Sequence, residues 1–200
     1  MIMNNEEPRW LLYPLWIIQS FLCIPIALLL NFMILTIITL LVGDFLYVNG
    51  VRRITEDYLY LYFFIPMVSL LTGAFQSALL RRYLPQMSGW VLATAGGWLL
   101  GILLVLMPDW LHWRNGYQDL DQAFLSLGLA IGITQWLLLR RRLSHAGWWV
   151  AATVAGWGLL ALLTGDTLDG LGLLALGLLP ASVTAAALAL LMKQATLNGV

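Results

Sequence analysis

The chain has 200 residues, 61% of them hydrophobic and only 10% charged, and its ten basic and ten acidic side chains sum to zero. Soluble domains carry roughly 25% charged residues, and a domain of this size must turn a large share of its residues to water, so a soluble globule is nearly excluded, as is disorder. One cysteine, Cys23, excludes a disulfide framework, and the absent net charge leaves no electrostatic footprint for nucleic acid.

A membrane-spanning helix needs about 20 mostly apolar residues. Six such runs follow one another: Leu15–Val42, Tyr58–Leu80, Trp90–Met107, Gln122–Leu139, Ala146–Thr164 and Leu171–Met192. The first is longer than one crossing requires and contains Pro25, which predicts a kink or an interfacial lead-in helix. The lead-in Arg9-Trp10-Leu11-Leu12-Tyr13-Pro14 mixes a charge with aromatic rings and suits the headgroup region. A cleaved signal peptide is rejected, because Glu6 and Glu7 outweigh Arg9 and no small-x-small site follows the run. The fold class predicted is an all-α integral membrane protein of about six transmembrane helices.

Sorted by loop, the charges separate. With the N-terminus in the cytoplasm, Arg9, Arg81, Arg82, Arg140, Arg141, Arg142 and Lys193 lie inside with Glu6 and Glu7. Arg52, Arg53 and Arg114 lie outside with Asp44, Glu56, Asp57, Asp109, Asp119, Asp121, Asp166 and Asp169. Seven basic residues against three is a positive-inside bias, which predicts a bacterial inner-membrane protein with both termini cytoplasmic. No charge falls mid-span. The intramembrane polar groups are neutral: Gln19, Asn31, Ser69, Thr72, Gln76, Ser77, Thr94, Thr134, Gln135, Thr153, Ser182 and Thr184. Proton-coupled carriers usually keep an ionisable group there.

An internal repeat organises the spans. Gly73-Ala-Phe-Gln76-Ser-Ala-Leu-Leu-Arg81-Arg82 returns as Gly132-Ile-Thr-Gln135-Trp-Leu-Leu-Leu-Arg140-Arg141, and the same offset takes Trp90 to Trp149, Thr94 to Thr153, Gly97 to Gly156 and Trp98 to Trp157. The repeated unit holds two spans, so its copies run parallel. Counting back from the basic end of each even-numbered helix adds a weaker third copy: Gly73 and Ser69 before Arg81, Gly132 and Gly128 before Arg140, Ala185 and Ala181 before Lys193. The first helix offers Gln19, Cys23 and Ala27 after Trp16. The chain therefore reads as one transmembrane domain over residues 1–200, with a divergent N-terminal hairpin at 1–82, a second at 83–142 and a third at 143–200. Small residues four apart read first as packing seams, because helices in lipid associate through close approach.

Each remaining feature has a plain and a functional reading. Gln76 and Gln135 either bond each other across a pseudo-symmetry axis or contact a ligand. Trp10, Trp16, Trp90, Trp110, Trp113, Trp148 and Trp149 fall at predicted interfaces, where an amphipathic ring belongs. Trp98, Trp136 and Trp157 lie deeper, packing or lining a site for a flat pigment, quinone or lipid tail. Arg81, Arg82, Arg140, Arg141 and Arg142 are topology signals that also suit anionic headgroups or an acidic partner. His112 and His145 are each alone, so no metal site is predicted, and no catalytic motif appears. The expectation is no enzyme and no cofactor, with membrane lipids or other membrane-protein subunits as partners and no nucleic acid.

The stretches Gly132-Ile-Thr-Gln135-Trp136-Leu-Leu-Leu139-Arg140-Arg141 and Ala-Gly-Trp-Trp-x-x-Ala-x-x-x-Gly-Trp, Ala146 to Trp157, resemble a group of uncharacterised bacterial multi-pass membrane proteins. The resemblance covers about Gly73 to Leu160. In the first copy Ser77 stands where that pattern has Trp, and Gly89-Trp90 replaces the double Trp. It implies an architecture and no substrate, cofactor or catalytic residue. The function expected is a non-enzymatic scaffold or accessory subunit that binds lipids, hydrophobic ligands or a larger membrane complex. The alternative is a small transporter or channel with a neutral polar path lined by Gln76, Gln135, Thr134 and Thr153.

Overall fold

The structure is a computed structural model and describes residues 9–48, 51–55, 63–84, 87–110, 120–164 and 170–197. A short 3-10 turn, Arg9–Leu11, leads into α1, Leu12–Val42. A β-hairpin follows, with β1 at Phe45–Val48 and β2 at Val51–Ile54. The remaining helices are α2 (Ile65–Tyr83), α3 (Trp90–Trp110), α4 (Leu120–Leu139), α5 (Gly147–Thr164) and α6 (Gly170–Leu197). The all-α class holds, with the hairpin as its one exception among the described residues.

Among the described residues, four helical stretches are long and apolar enough to cross a membrane: Leu12–Val42, Gln122–Leu139, Gly147–Thr164 and Leu174–Gln194. In α3 the apolar stretch Trp90–Val105 is shorter. α2 is less apolar, because it ends on Arg81 and Arg82 and buries Ser69, Gln76 and Ser77. Those arginines suit a helix C-terminus, where the backbone dipole is negative.

The six helices form a closed ring. Each packs on its chain neighbours, and α6 returns to pack on α1. Successive helices run in opposite directions. One apolar cluster therefore gathers the start of α1 (Leu12, Trp16), the end of α2 (Leu79, Leu80) and the start of α3 (Trp90). It continues through the end of α4 (Leu139), the start of α5 (Trp149) and the late turns of α6 (Leu188, Leu191). A second cluster, with Ile24, Val68, Trp98, Ile131, Trp157 and Leu160, fills the other half. Outside, leucines face away from the ring: Leu92 is 78% exposed and Leu162 82%. Inside lie Ser20, Gln76, Thr94, Gln135, Thr153 and Thr184, all buried. Polar groups within and apolar groups without is the reverse of a soluble bundle, and apolar surface on this scale calls for lipid.

Glycines set the approach of the helices. A Cβ on Gly97 in α3 would sit 2.7 Å from the Ile131 Cα of α4, and one on Gly156 in α5 would sit 2.8 Å from the Pro180 Cα of α6. The paired contacts of Gly73 with Val91 and Thr94 return 59 positions on as those of Gly132 with Val150 and Thr153. Gly128 against Trp157 is matched by Gly177 against Ile24. Ala181 and Gly177, rather than Ala185 and Ala181, thus occupy the small positions of α6. Counting from Lys193 overshoots by one turn because α6 continues to Leu197, whereas α4 stops at Leu139, just before its arginines.

The hairpin was not anticipated. Its register pairs Phe45 with Ile54 and Val48 with Val51. Gly43 ends α1 at φ +92, a conformation open to glycine, and its carbonyl accepts the Thr55 hydroxyl at 2.8 Å. Arg52 lies over the Phe45 ring at 3.6 Å. The signal was Asn49-Gly50 between β-forming residues, a strong hairpin mark.

The seams give a direct test. Gly97→Ala and Gly156→Ala are expected to destabilise the fold by about 1–3 kcal/mol through overpacking. Gly96→Ala, next in chain with nothing within 4 Å of its Cβ position, is expected to change stability by less than about 0.5 kcal/mol. Thermal unfolding in mild detergent measures both.

Candidate functional site

The centre of the ring is built on three indoles. Trp16 (α1), Trp90 (α3) and Trp149 (α5) meet edge to face, with ring centroids 6.1, 5.9 and 5.9 Å apart. Each is only 1% exposed. The sequence pattern put all three near helix ends at an interface; the structure keeps them in the first turns of their helices but turns them inward, against one another on the ring axis. Trp10 and Trp148 do project outward, at 64% and 68% exposure. The aromatic count gave no means of telling the two sets apart. The signal was spacing: Trp16, Trp90 and Trp149 each precede a small hydroxyl residue, Ser20, Thr94 and Thr153, by one turn.

A buried indole N–H in hydrocarbon needs an acceptor, and each of these has one. Trp90 donates to Gln76 Oε1 at 3.1 Å, and Trp149 donates to Gln135 Oε1 at 3.0 Å. Each amide then donates onward to the other neighbouring helix, Gln76 to Ser20 Oγ at 3.3 Å and Gln135 to Thr94 Oγ1 at 2.9 Å. Gln76 and Gln135 therefore do not bond each other. A glutamine on one helix reaches both adjacent helices, so its donor and acceptor ends are spent on different partners.

On α6 the equivalent place is held by Thr184. Trp16 donates to its hydroxyl at 3.2 Å, and that hydroxyl donates to the Pro180 carbonyl at 2.7 Å. A threonine is too short to bridge to α5, and the Thr153 hydroxyl turns instead to its own helix, donating to the Trp149 carbonyl at 2.8 Å. Side-chain bonds of this belt thus tie α1 to α2, α2 to α3, α3 to α4, α4 to α5 and α6 to α1. At the α5–α6 seam, Gly156 against Pro180 supplies close backbone contact.

Beside the belt lies a cavity of about 70 Å³, room for about two waters at about 30 Å³ each. Gln76, Gln135, Thr94, Thr153 and Thr184 form its polar side. Trp98, Trp157, Ile24, Val68 and Ile131 form its apolar side, with Trp98 and Trp157 edge to face at 5.4 Å. Among the expected site residues, the structure brings Gln76, Gln135, Thr153, Trp98 and Trp157 together here. Thr134 lies elsewhere: its hydroxyl donates to the Ala130 and Ile131 carbonyls, and it packs where Gly97 approaches α4. Trp136 is half-buried at the basic end with the Arg140 guanidinium over its ring at 5.1 Å. Trp16, Ser20, Thr94 and Thr184 complete the site and were not singled out as site residues.

Among the described residues no group of three or more metal-ligating side chains occurs. His112 lies outside the described residues. The arginines of α2 and α4 stand exposed at the end of the ring nearest the tryptophan triad. Fold and site together define an all-α membrane protein with a closed ring of helices around a hydrogen-bonded polar centre. Comparison with protein-family models, with curated proteins and with solved structures returned no match.

Gln135→Leu is expected to leave the Trp149 N–H and the Thr94 hydroxyl without their partner and to lower stability by about 1–2 kcal/mol. Thr184→Val removes the acceptor of one indole alone and is expected to cost about half as much. Neither loss should vary between mildly acidic and mildly basic pH, because no belt group titrates there. Unfolding midpoints at several pH values, with the near-ultraviolet signal of the indoles as probe, test this.

Proposed function

We propose that the chain is a non-enzymatic membrane scaffold or accessory subunit, which binds lipids or a hydrophobic ligand or takes its place in a larger membrane complex. One observation carries the reading: the intramembrane polar groups of the belt are spent on one another, and three stacked indoles close the axis. A carrier needs free polar groups along a path, and this belt offers few. The contacts that recur at one offset support two parallel copies of the repeat, and the Trp16–Thr184 bond supports a divergent third. The grouping of Arg81, Arg82, Arg140, Arg141 and Arg142 at one end, against Arg52 and Arg53 in the hairpin at the other, supports orientation with the richer end in the cytoplasm of a bacterial inner membrane. The resemblance to bacterial multi-pass proteins with these repeats belongs to the same proposal.

Native purification in mild detergent tests the reading. The expected result is co-purifying lipid, hydrophobic ligand or partner subunit. A strictly monomeric protein stripped of all three would overturn it. Solute flux through reconstituted vesicles, abolished by Gln76→Leu with Gln135→Leu, would replace it with the carrier reading.

A further inference from the structure

Where the loop leaving α2 meets the end of α4 there is a recess of about 240 Å³, lined by Met87, Ser88, Leu138, Arg141 and Arg142. We propose that this recess binds the phosphate group of an anionic lipid headgroup. The proposal rests on the lipid-binding reading above and assigns it to one place and one chemistry.

The recess presents two guanidinium groups and one hydroxyl over an apolar floor. Guanidinium forks match phosphate oxygens in pairs, and the hydroxyl adds a further donor. Met87 is buried and Leu138 half-buried, so the floor is fixed by the fold. Arg140 differs from its neighbours, because it lies over the Trp136 ring. Arg141 and Arg142 stand exposed on consecutive positions, and their charges repel. Among the described residues no carboxylate lies at this end of the ring. Ser88 and Gly89 lie just ahead of α3, whose first-turn amides add positive potential on the same side.

Depth favours a lipid. Trp10 and Trp148 are exposed at the same end of the ring, and exposed tryptophans mark the headgroup plane. The recess is therefore at the level of lipid phosphates, and its floor of Met87 and Leu138 suits a glycerol backbone and the start of an acyl chain.

The experiment is native mass spectrometry of the full chain in mild detergent, titrated with short-chain phosphatidylglycerol or phosphatidylcholine. The wild-type chain is expected to hold the anionic lipid about tenfold more tightly than the zwitterionic one. Arg141→Gln with Arg142→Gln is expected to abolish that preference, Ser88→Ala to weaken it, and Arg141→Lys with Arg142→Lys to restore part of it. Arg81→Gln with Arg82→Gln removes the same charge outside the recess and is expected to leave the preference intact. Equal loss in both glutamine pairs would overturn the site in favour of diffuse surface charge. An unchanged preference without Arg141 and Arg142 would overturn it too, while lipid binding and the scaffold reading stand. Competition by millimolar inorganic phosphate supports the site with a free anion as ligand, and phosphatidylglycerol binding unaffected by phosphate supports it with a lipid.

Discussion

The tryptophan N–H is the group on which the ring depends. Enclosed between packed helices, it has no water to turn to, and leaving it unpaired is costly. Three of them converge here, so three acceptors must converge as well. That requirement puts Gln76 beside Trp90, Gln135 beside Trp149 and Thr184 beside Trp16. The helices that carry these residues are thereby fixed as neighbours and in depth. Once the indoles are paired, the edge-to-face stacking of the rings closes the axis.

The glycine seams make the belt possible. Hydrogen bonds between side chains on adjacent helices need backbones brought close, and in lipid close packing rather than the hydrophobic effect brings them there. Gly97 and Gly156 let α4 and α6 come within a distance that a methyl group would forbid. At the equivalent place α1 has Cys23, fully buried, whose thiol donates to the Gln19 carbonyl at 3.1 Å. The α1–α2 side also holds the buried oxygens of Gln19 and Ser77, neither of which has a hydrogen-bond partner. The divergent helix is thus also the one whose polar groups are least well satisfied.

Much of this was legible in the sequence because lipid imposes simple rules. Apolar length marks spans, and α1, α4, α5 and α6 fall where the hydrophobic runs predicted. The offset that aligned Gln76 with Gln135 also aligns their hydrogen bonds. What could not be read was direction. A tryptophan near a helix start looks the same whether it faces outward, as Trp148 does, or the axis, as Trp149 does. Only the neighbouring helices decide that. The partners of Gln76 were hidden for a similar reason, since Ser20 is 56 positions away and on a different helix. Counting from Lys193 misplaces the register of α6 by one turn, because helix length beyond the belt varies.

The separations within the belt also set an order of assembly. Trp90 finds Gln76, and Trp149 finds Gln135, only 14 positions back along the chain. Each of these pairs joins consecutive helices and is available as soon as the later of the two enters the bilayer. Trp16 is 168 positions from Thr184, so its indole has to wait through the insertion of every other helix. Until then the first helix carries an indole N–H that lacks its native acceptor. The stage between synthesis of α1 and arrival of α6 is therefore the vulnerable one, when an insertase or chaperone that shields a polar face would matter most.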